Sequence, residues 1–321
     1  MKEEKNFFCS HQLFQDFDQW AEAFKIYNLS SNQLSKGKFK GELAIAGFRG
    51  LQITYASVNQ AMHIMGSKPA NSLTFGIPLT SEDEILIAHD NCLSHNILFG
   101  LNPHREIFVV TRKACEVAII SVNVDVFYEY ANLMKISRFN DKFFQKNTVI
   151  ININKLNNFK SYLKQLFYLL IYDSNWLSKY SSQRLIIEDF LPLFIDILRN
   201  DDEIFFSKIM SFRRYEIIRK MDNFIMNNID QPLTLKDLYT ALKTSSRALS
   251  YATQDIFAMS PMEYLKVKRL HGVRLALKAS NPNNTKVFAV ANNWGFWSMG
   301  HFSRDYKQLF GESPSEILRN H

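Results

Sequence analysis

The chain has 321 residues, room for about two domains. With 46% hydrophobic and 21% charged residues, and 27 Phe and 13 Tyr to fill a core, its composition is globular and speaks against wholesale disorder. Three cysteines, Cys9, Cys92 and Cys115, are far apart and odd in number. They argue against a disulfide scaffold or a cysteine zinc site and fit a reducing, cytoplasmic compartment. Charge interrupts every apolar run of the first twenty residues, so no leader peptide is expected. The longest uninterrupted apolar run, Leu166 to Tyr172, falls well short of the roughly 18 residues of a membrane helix. The net charge of +7 is unevenly placed: residues 1–210 carry 22 basic and 22 acidic residues, and residues 211–321 carry 16 and 9. A neutral region joined to a basic one implies that the second meets a polyanion; a basic face with no partner is the bland alternative.

In chain order, Phe14, Phe17, Ala21 and Phe24 lie at helical spacing. From about Leu43 to Val124 short apolar runs (LAIAGF, LQITYA, SLTFGIPL, EILIAH, NILFGL, EIFVV, EVAIISV) recur at roughly ten-residue intervals between turn residues. That rhythm predicts an antiparallel barrel or sandwich. The period then becomes helical. VDVFYEYANLM follows, with Asp125 placed to cap it. Leu156, Phe159, Leu163, Leu166, Phe167 and Leu170 mark one face of a long helix, broad enough for both a barrel and a partner subunit. A second helix, 184–198, has Pro192 in its interior, where a kink is expected. A charge cluster near Asn200 to Ser211 suggests the domain boundary.

Beyond it every segment reads as helix. In RRYEIIRKMDNFIMNNID, Ile217, Ile218, Met221, Phe224 and Ile225 face inward. Thr234 suits the N-cap of LKDLYTALK, and the T-S-S run at 244–246 starts RALSYATQDIF. A short helix, a tight turn and a second helix form a helix-turn-helix. Ser260-Pro261 opens a helix of about 19 residues, roughly 28 Å long. The pattern then repeats: Thr285 before KVFAVANNW, a turn at Gly295, SMGHFSRDYKQLF, a stop at Gly311 and a last start at Ser313-Pro314. Two such units joined by one helix could reach successive major-groove faces about 34 Å apart, although small helical bundles also adopt this shape without touching DNA.

These residues resemble the AraC/XylS family of transcription regulators. The second unit carries the likeness through Ala291, Gly295-Phe296, His301-Phe302-Ser303-Arg304, Tyr306-Lys307, Phe310-Gly311, Ser313-Pro314 and Arg319. The first contributes Leu238, Ser246-Arg247, Leu249, Met259-Ser260-Pro261, Tyr264-Leu265 and Arg269-Leu270. The resemblance covers residues 211–321. Two positions depart from it: Ala258 stands where the family usually has Gly, and Ala252-Thr253 replaces a more apolar pair. The resemblance implies promoter DNA and RNA polymerase as partners and a preceding domain that senses a ligand, dimerises, or both.

On the first recognition helix Leu249, Ile256 and Ala252 read as core. Arg247, Ser250, Tyr251 and Gln254 are left for base edges, Arg and Gln being suited to guanine and adenine. On the second, Phe296, Phe302, Tyr306 and Phe310 read as core, leaving Met299, Gly300, His301, Ser303 and Arg304; the block of base readers is completed by Met299, His301, Ser303 and Arg304. Arg304 suits a phosphate or a structural carboxylate equally. Lys243, Lys286 and Lys307, near helix ends, suit phosphates. Trp294 and Trp297 read as core rather than as stacking platforms.

The expected architecture is an α+β N-terminal domain over 1–205, with a cupin-like β-barrel at about 40–124 and helices at about 125–199. An all-α domain with two helix-turn-helix units follows over 211–321. The expected function is a cytoplasmic, non-catalytic, sequence-specific regulator, an activator more than a repressor. No cofactor and no membrane association are expected; a homodimer and a small apolar effector in the barrel are. The alternative is a metal-dependent barrel sensor-enzyme with a DNA-binding tail. It would gather His63, His89, His95 and His104 from the strands, although they lack a ligand-like spacing.

Overall fold

The computed structural model describes residues 7–25, 28–80, 86–88, 91–94, 96–199, 212–229 and 231–319. The expected boundary at 200–211 lies outside them, as do His89 and His95.

The strands begin earlier than the apolar runs suggest. β1 (Phe8–Phe14) precedes α1 (Phe17–Lys25), so Phe14 ends a strand and the helix starts just after it. The Asp16 carboxylate accepts from the N–H groups of Asp18 and Gln19, at 2.8 and 3.1 Å, and so caps α1. Then come β2 (Leu29–Gln33), β3 (Gly41–Phe48), β4 (Leu51–Val58), β5 (Met62–Gly66), β6 (Ser72–Pro78), β7 (Leu86–Ala88), β8 (Asn91–Leu93), β9 (Ile97–Phe99), β10 (Ile107–Thr111) and β11 (Cys115–Asn123). After α2 (Val124–Leu133) and α3 (Asp141–Gln145), a late strand, β12 (Thr148–Ile150), returns to the sheet. Asn123, not Asp125, caps α2: its side chain accepts from the N–H of Asp125 and of Val126.

The strands form two antiparallel sheets, ordered β1-β3-β4-β11-β6-β9-β12 and β2-β5-β10-β7-β8. The two-residue period of a strand assigns each side chain to a layer. On β11, Ala118, Ile120 and Val122 enter the core shared with α2, α4 (Ile153–Tyr172) and α6 (Tyr180–Arg199), while Val117 and Ile119 line a cavity between the sheets. On β10, Ile107, Val109 and Thr111 line the same cavity, Val110 packs towards the C-terminal helices, and Phe108 borders both. This sheet is therefore the partition between the cavity and the second domain.

A short α5 (Ser174–Leu177) joins α4 to α6, which contains Pro192. Leu163 and Leu170 are buried within this domain's own core, so the α4 stripe has no share left for a partner subunit. What α4 shows outward is Tyr168 and Tyr172, 63% and 73% exposed, with ring centres 4.8 Å apart.

The C-terminal region is all helix: α7 (Phe212–Asn227), α8 (Leu235–Ala241), α9 (Ser246–Phe257), α10 (Pro261–Lys278), α11 (Val287–Asn293), α12 (Met299–Phe310) and α13 (Pro314–Arg319). Local chemistry sets the boundaries. Thr234 with Asp237 and Ser260 with Glu263 form capping boxes, each side chain satisfying an orphan N–H of the first turn. Ser245 caps α9, and Gly311 ends α12 at φ +77°. Lys286 rather than Thr285 holds the N-cap position of α11, with no side-chain cap bond. Ala258, the departure from the family glycine, does adopt the left-handed conformation, φ +56°, at a cost of about 1 kcal/mol relative to glycine. The other departure is accommodated: Ala252 and Thr253 are fully buried, and the Thr253 hydroxyl donates back to the carbonyls of Leu249 and Ser250 at 3.3 and 3.1 Å.

Candidate nucleic-acid interface

α8 and α9 form the first helix-turn-helix, α11 and α12 the second, and α10 joins them. Leu249, Ala252 and Ile256 on α9, and Phe302, Tyr306 and Phe310 on α12, are buried in one core, which fixes the rotation of both recognition helices. Phe296 is partly buried against that core. The opposite faces carry the expected readers. Arg247, Tyr251 and Gln254 are exposed and Ser250 is half-buried; His301, Ser303 and Arg304 are exposed and Met299 is half-buried against the core. Lys243, Lys286 and Lys307 are all exposed.

Two of the arginines are already oriented within their own helices. The Arg247 guanidinium lies over the Tyr251 ring, 5.3 Å from its centre, and donates to the Tyr251 hydroxyl at 3.1 and 3.3 Å. One edge of the guanidinium is thereby occupied, leaving a second edge for an acceptor pair of the kind guanine offers. Arg304 contacts His301 Nδ1 at 2.9 Å, and its Nε lies 3.7 Å from the Asp305 carboxylate. Lys243 sits in the first turn at φ +48°, and Lys286 extends over the exposed Phe288 ring at 6.0 Å.

The two tryptophans diverge. Trp294 packs on the core, its ring filling the space that a side chain at Gly272 would need. Trp297, expected in the core, is 74% exposed immediately before α12. The turn itself does not require an aromatic anchor there, because Phe296 supplies it by packing on Phe302 at 5.0 Å.

Sequence reasoning missed a second polar surface, on α10, which is buried against the N-terminal region. Arg274 is 2% exposed, with Nε 2.8 Å from Asp18 Oδ2, Nη2 2.6 Å from Asp16 Oδ2, and Nη1 on Glu312. Lys278 joins the same carboxylates at 2.8 and 2.7 Å. Burial by itself would raise the Asp16 carboxyl, but the Lys278 hydrogen bond and the Arg274 charge carry it below the ordinary value. Nearby, Lys268 Nζ lies 3.0 Å from Asp222, and Tyr264 donates to the same carboxylate at 2.5 Å. With the Tyr264 proton so committed, His63 Nδ1–H from β5 donates to the Tyr264 oxygen at 3.0 Å. His271 Nε2–H donates to the Gln33 carbonyl at 2.9 Å, and Gln33 reaches the Leu309 carbonyl at 2.7 Å. Burial, above all, pulls both histidines down to about 4. The N-terminal sheet and α10 thus share one core and one polar network. His63 belongs to that network rather than to a metal site, and His104 is an exposed loop residue. Among the described residues no group of three or more His, Cys, Asp or Glu could hold a metal.

Comparison with known proteins converges on the C-terminal third. The family described as "Helix-turn-helix domain" matches residues 238–320. The probable thc operon regulatory protein of Rhodococcus erythropolis is 35% identical over 103 residues, 32% of this chain and 31% of that protein. The XylDLEGF operon transcriptional activator 3 of Pseudomonas putida is 31% identical over 96 residues, 30% of this chain and 29% of that one. The chain thus matches about a third of the length of these curated relatives. A solved probable AraC family transcriptional regulator from Rhodopseudomonas palustris is 36% identical, with 33% of this chain and 96% of that one covered and a TM-score of 0.31. The AraC-like transcriptional activator CuxR is similar over 89% of this chain and 99% of its own, at 12% identity and a TM-score of 0.42. With two helix-turn-helix units on one buried core and this sequence likeness across them, the C-terminal third is a helix-turn-helix domain similar in sequence to those of AraC/XylS-type transcription regulators.

Proposed function

We propose that the chain is a sequence-specific, promoter-binding transcription regulator, acting as an activator and controlled through its N-terminal domain. The observation that carries this reading is the outward array on α9 and α12. Core packing turns Arg247, Tyr251, Gln254, His301, Ser303 and Arg304 to solvent on two helices tied together by an α10 roughly 27 Å long. That length suits consecutive major-groove faces about 34 Å apart. The exposed Lys243, Lys286 and Lys307 supply the sequence-independent hold on phosphate.

The division of labour places the reader at 211–321 and the sensor and dimerisation region at 1–205. RNA polymerase is the downstream partner, and the cavity between the sheets is the seat of a small effector. Self-association through the helices of 155–198 uses their outward residues, Tyr168 and Tyr172 among them, since the inward leucines are consumed by the core. The setting is cytoplasmic and the role non-catalytic; among the described residues no helix is long and apolar enough to cross a membrane.

Genome-wide mapping of bound sites, followed by binding of the full chain to a recovered site and to random DNA, tests the reading. A regulator should prefer its site by about 10³ or more and bind with a steep salt dependence. Equal affinity for any sequence would reduce the protein to an architectural DNA binder.

A further inference from the structure

Four glycines lie within residues 211–321, and the fold accounts for three of them. Gly295 and Gly311 sit at φ +78° and +77°, where a side chain would be strained. Gly272 leaves its space to the Trp294 ring. Gly300 has no such reason. It lies in the first turn of α12, outside the left-handed region, and a Cβ there would meet no described atom within 4 Å. Glycine in a helix is less stable than alanine, because it gives up more backbone freedom on folding. For the fold alone, alanine would be the better residue at 300.

Gly300 is placed where a partner would meet it. Ser303, Arg304 and Lys307 follow at i+3, i+4 and i+7, so Gly300 forms the N-terminal end of the exposed stripe of α12. The missing side chain leaves a notch in that stripe, and backbone there can be approached closely.

The aromatic residue beside it is also unexplained by packing. Trp297 immediately precedes Ser298, the N-cap residue of α12. A hydrophobic residue in that place ordinarily packs on the fourth helical residue, here Phe302. Phe296 makes the contact instead, its ring centre 5.0 Å from that of Phe302, and Trp297 is left 74% exposed. Three residues apart, a large apolar side chain and a notch thus share the end of α12 that leads the basic stripe of Arg304 and Lys307.

The chemistry of DNA selects what they meet. In the major groove the thymine 5-methyl is the apolar group that a base pair displays. The N-terminal residues of a recognition helix are the ones that reach base edges. We propose that Trp297 reads a thymine 5-methyl in the half-site facing α12, and that Gly300 gives the helix backbone the close approach this contact needs. The inference rests on the promoter-binding reading and deepens it by naming what the second helix-turn-helix selects.

The test uses the full chain and the preferred site recovered by genome-wide mapping. Each thymine is replaced in turn by uracil, which pairs identically and lacks only the methyl. In the half-site that Arg247→Ala leaves untouched, replacing the contacted thymine should weaken binding about fourfold, the worth of one methyl taken out of water. Trp297→Ala should bind the thymine and uracil sites alike, with its urea midpoint unchanged. Gly300→Ala should move two readouts in opposite directions. Its unfolding midpoint should rise, and its affinity for the preferred site should fall about tenfold, the scale of a lost base contact. A glycine needed by the fold would lose stability on this change, and an idle surface glycine would keep its affinity; either result overturns the role of Gly300. A flat uracil scan, or a methyl preference that survives Trp297→Ala, overturns that of Trp297. A preferred site with a flat scan sinks this inference alone. A chain without any preferred site sinks the regulator reading, and this inference falls with it.

Discussion

On α9 and α12, Arg247, Gln254, His301, Ser303 and Arg304 stand in water; on α10, Lys268, His271 and Arg274 are buried towards the N-terminal region. Arg247 and Arg274 make the contrast concrete. Arg247 is exposed and held by a single tyrosine of its own helix, whereas Arg274 is 2% exposed and held by three carboxylates from two regions of the chain. An exposed arginine costs little to keep and remains available to a partner. A buried one requires every counter-charge in place, so it specifies a single arrangement of the two domains and loses much when one member is removed. The face of α9 and α12 proposed to read DNA is thus open to new contacts, and the docking face on α10 has completed its own.

The largest expected effect tests that difference directly. Arg274→Met should leave Asp16, Asp18 and Glu312 with Lys278 as their remaining cation, and should destabilise the full chain by about 3 kcal/mol in urea unfolding. Arg247→Met should stay within about 0.5 kcal/mol of the parent protein. Equal losses for the two would erase the distinction between the faces.

Acid should act on one face as well. His63 and His271 are held near 4 in the folded chain, against 6.5 for the unfolded chain, so the folded state keeps them neutral while the unfolded state binds protons. Above pH 6.5 the rings are neutral in both states and exact no penalty; as pH falls from about 6.5 towards 4 the unfolded state takes up protons that the folded state cannot, which costs the fold about 3 kcal/mol for each histidine. The charges facing them are Asp222 and Lys268 for His63, and Asp18, Lys268 and Arg274 for His271. Urea midpoints at pH 7.5, 6.0 and 5.0 should fall, and His271→Phe should flatten the slope. A flat profile in the parent chain would mean that these rings are solvated and the docking face open.

The reading face should respond in affinity rather than stability. Arg247→Ala should weaken binding to the preferred site by about 1–3 kcal/mol and relax the choice at one base pair, as seen across a library of site variants. Unchanged base preference would place Arg247 on phosphate and leave Gln254 and Tyr251 to read the first half-site.

How much of this was legible depended on how local the cause is. Thr234, Ser260 and Gly311 announce helix ends because a cap is a matter of three or four neighbouring residues. The open faces of α9 and α12 were legible for a similar reason: a single core on one side of these helices leaves the other side exposed. β1 was not, because FCSHQLF is an edge strand with an exposed, mixed pattern and no clean alternation. Nor was the docking face. α10 is buried from several sides, by its own domain and by the N-terminal sheet, so Tyr264, Lys268, His271 and Arg274, spaced three and four residues apart on one face, read as the solvated side of an ordinary basic helix. The partners that make its charges tolerable, Asp16 and Asp18, lie more than 250 residues away. Trp297 misled in the opposite direction: an aromatic residue beside a turn reads as core, yet the adjacent Phe296 already fills that place.

The smallest effect sharpens the comparison most, because it sets two like residues against each other. Lys278 and Lys307 both occupy the last turn of a helix, where a cation is favoured by the helix dipole. Lys278 is committed to Asp16 and Asp18, while Lys307 is exposed on α12, where the proposed function puts a phosphate. Lys307→Ala should leave unfolding unchanged and weaken the preferred site and random DNA by the same small factor. It should also lower the slope of log affinity against log salt by about 1, the mark of one lost phosphate contact. Lys278→Ala should do the reverse, lowering the unfolding midpoint with no change in that slope. If both variants alter the salt slope equally, α10 and α12 present one continuous basic surface to DNA, and the separation of a completed face from an open one fails at their C-terminal ends.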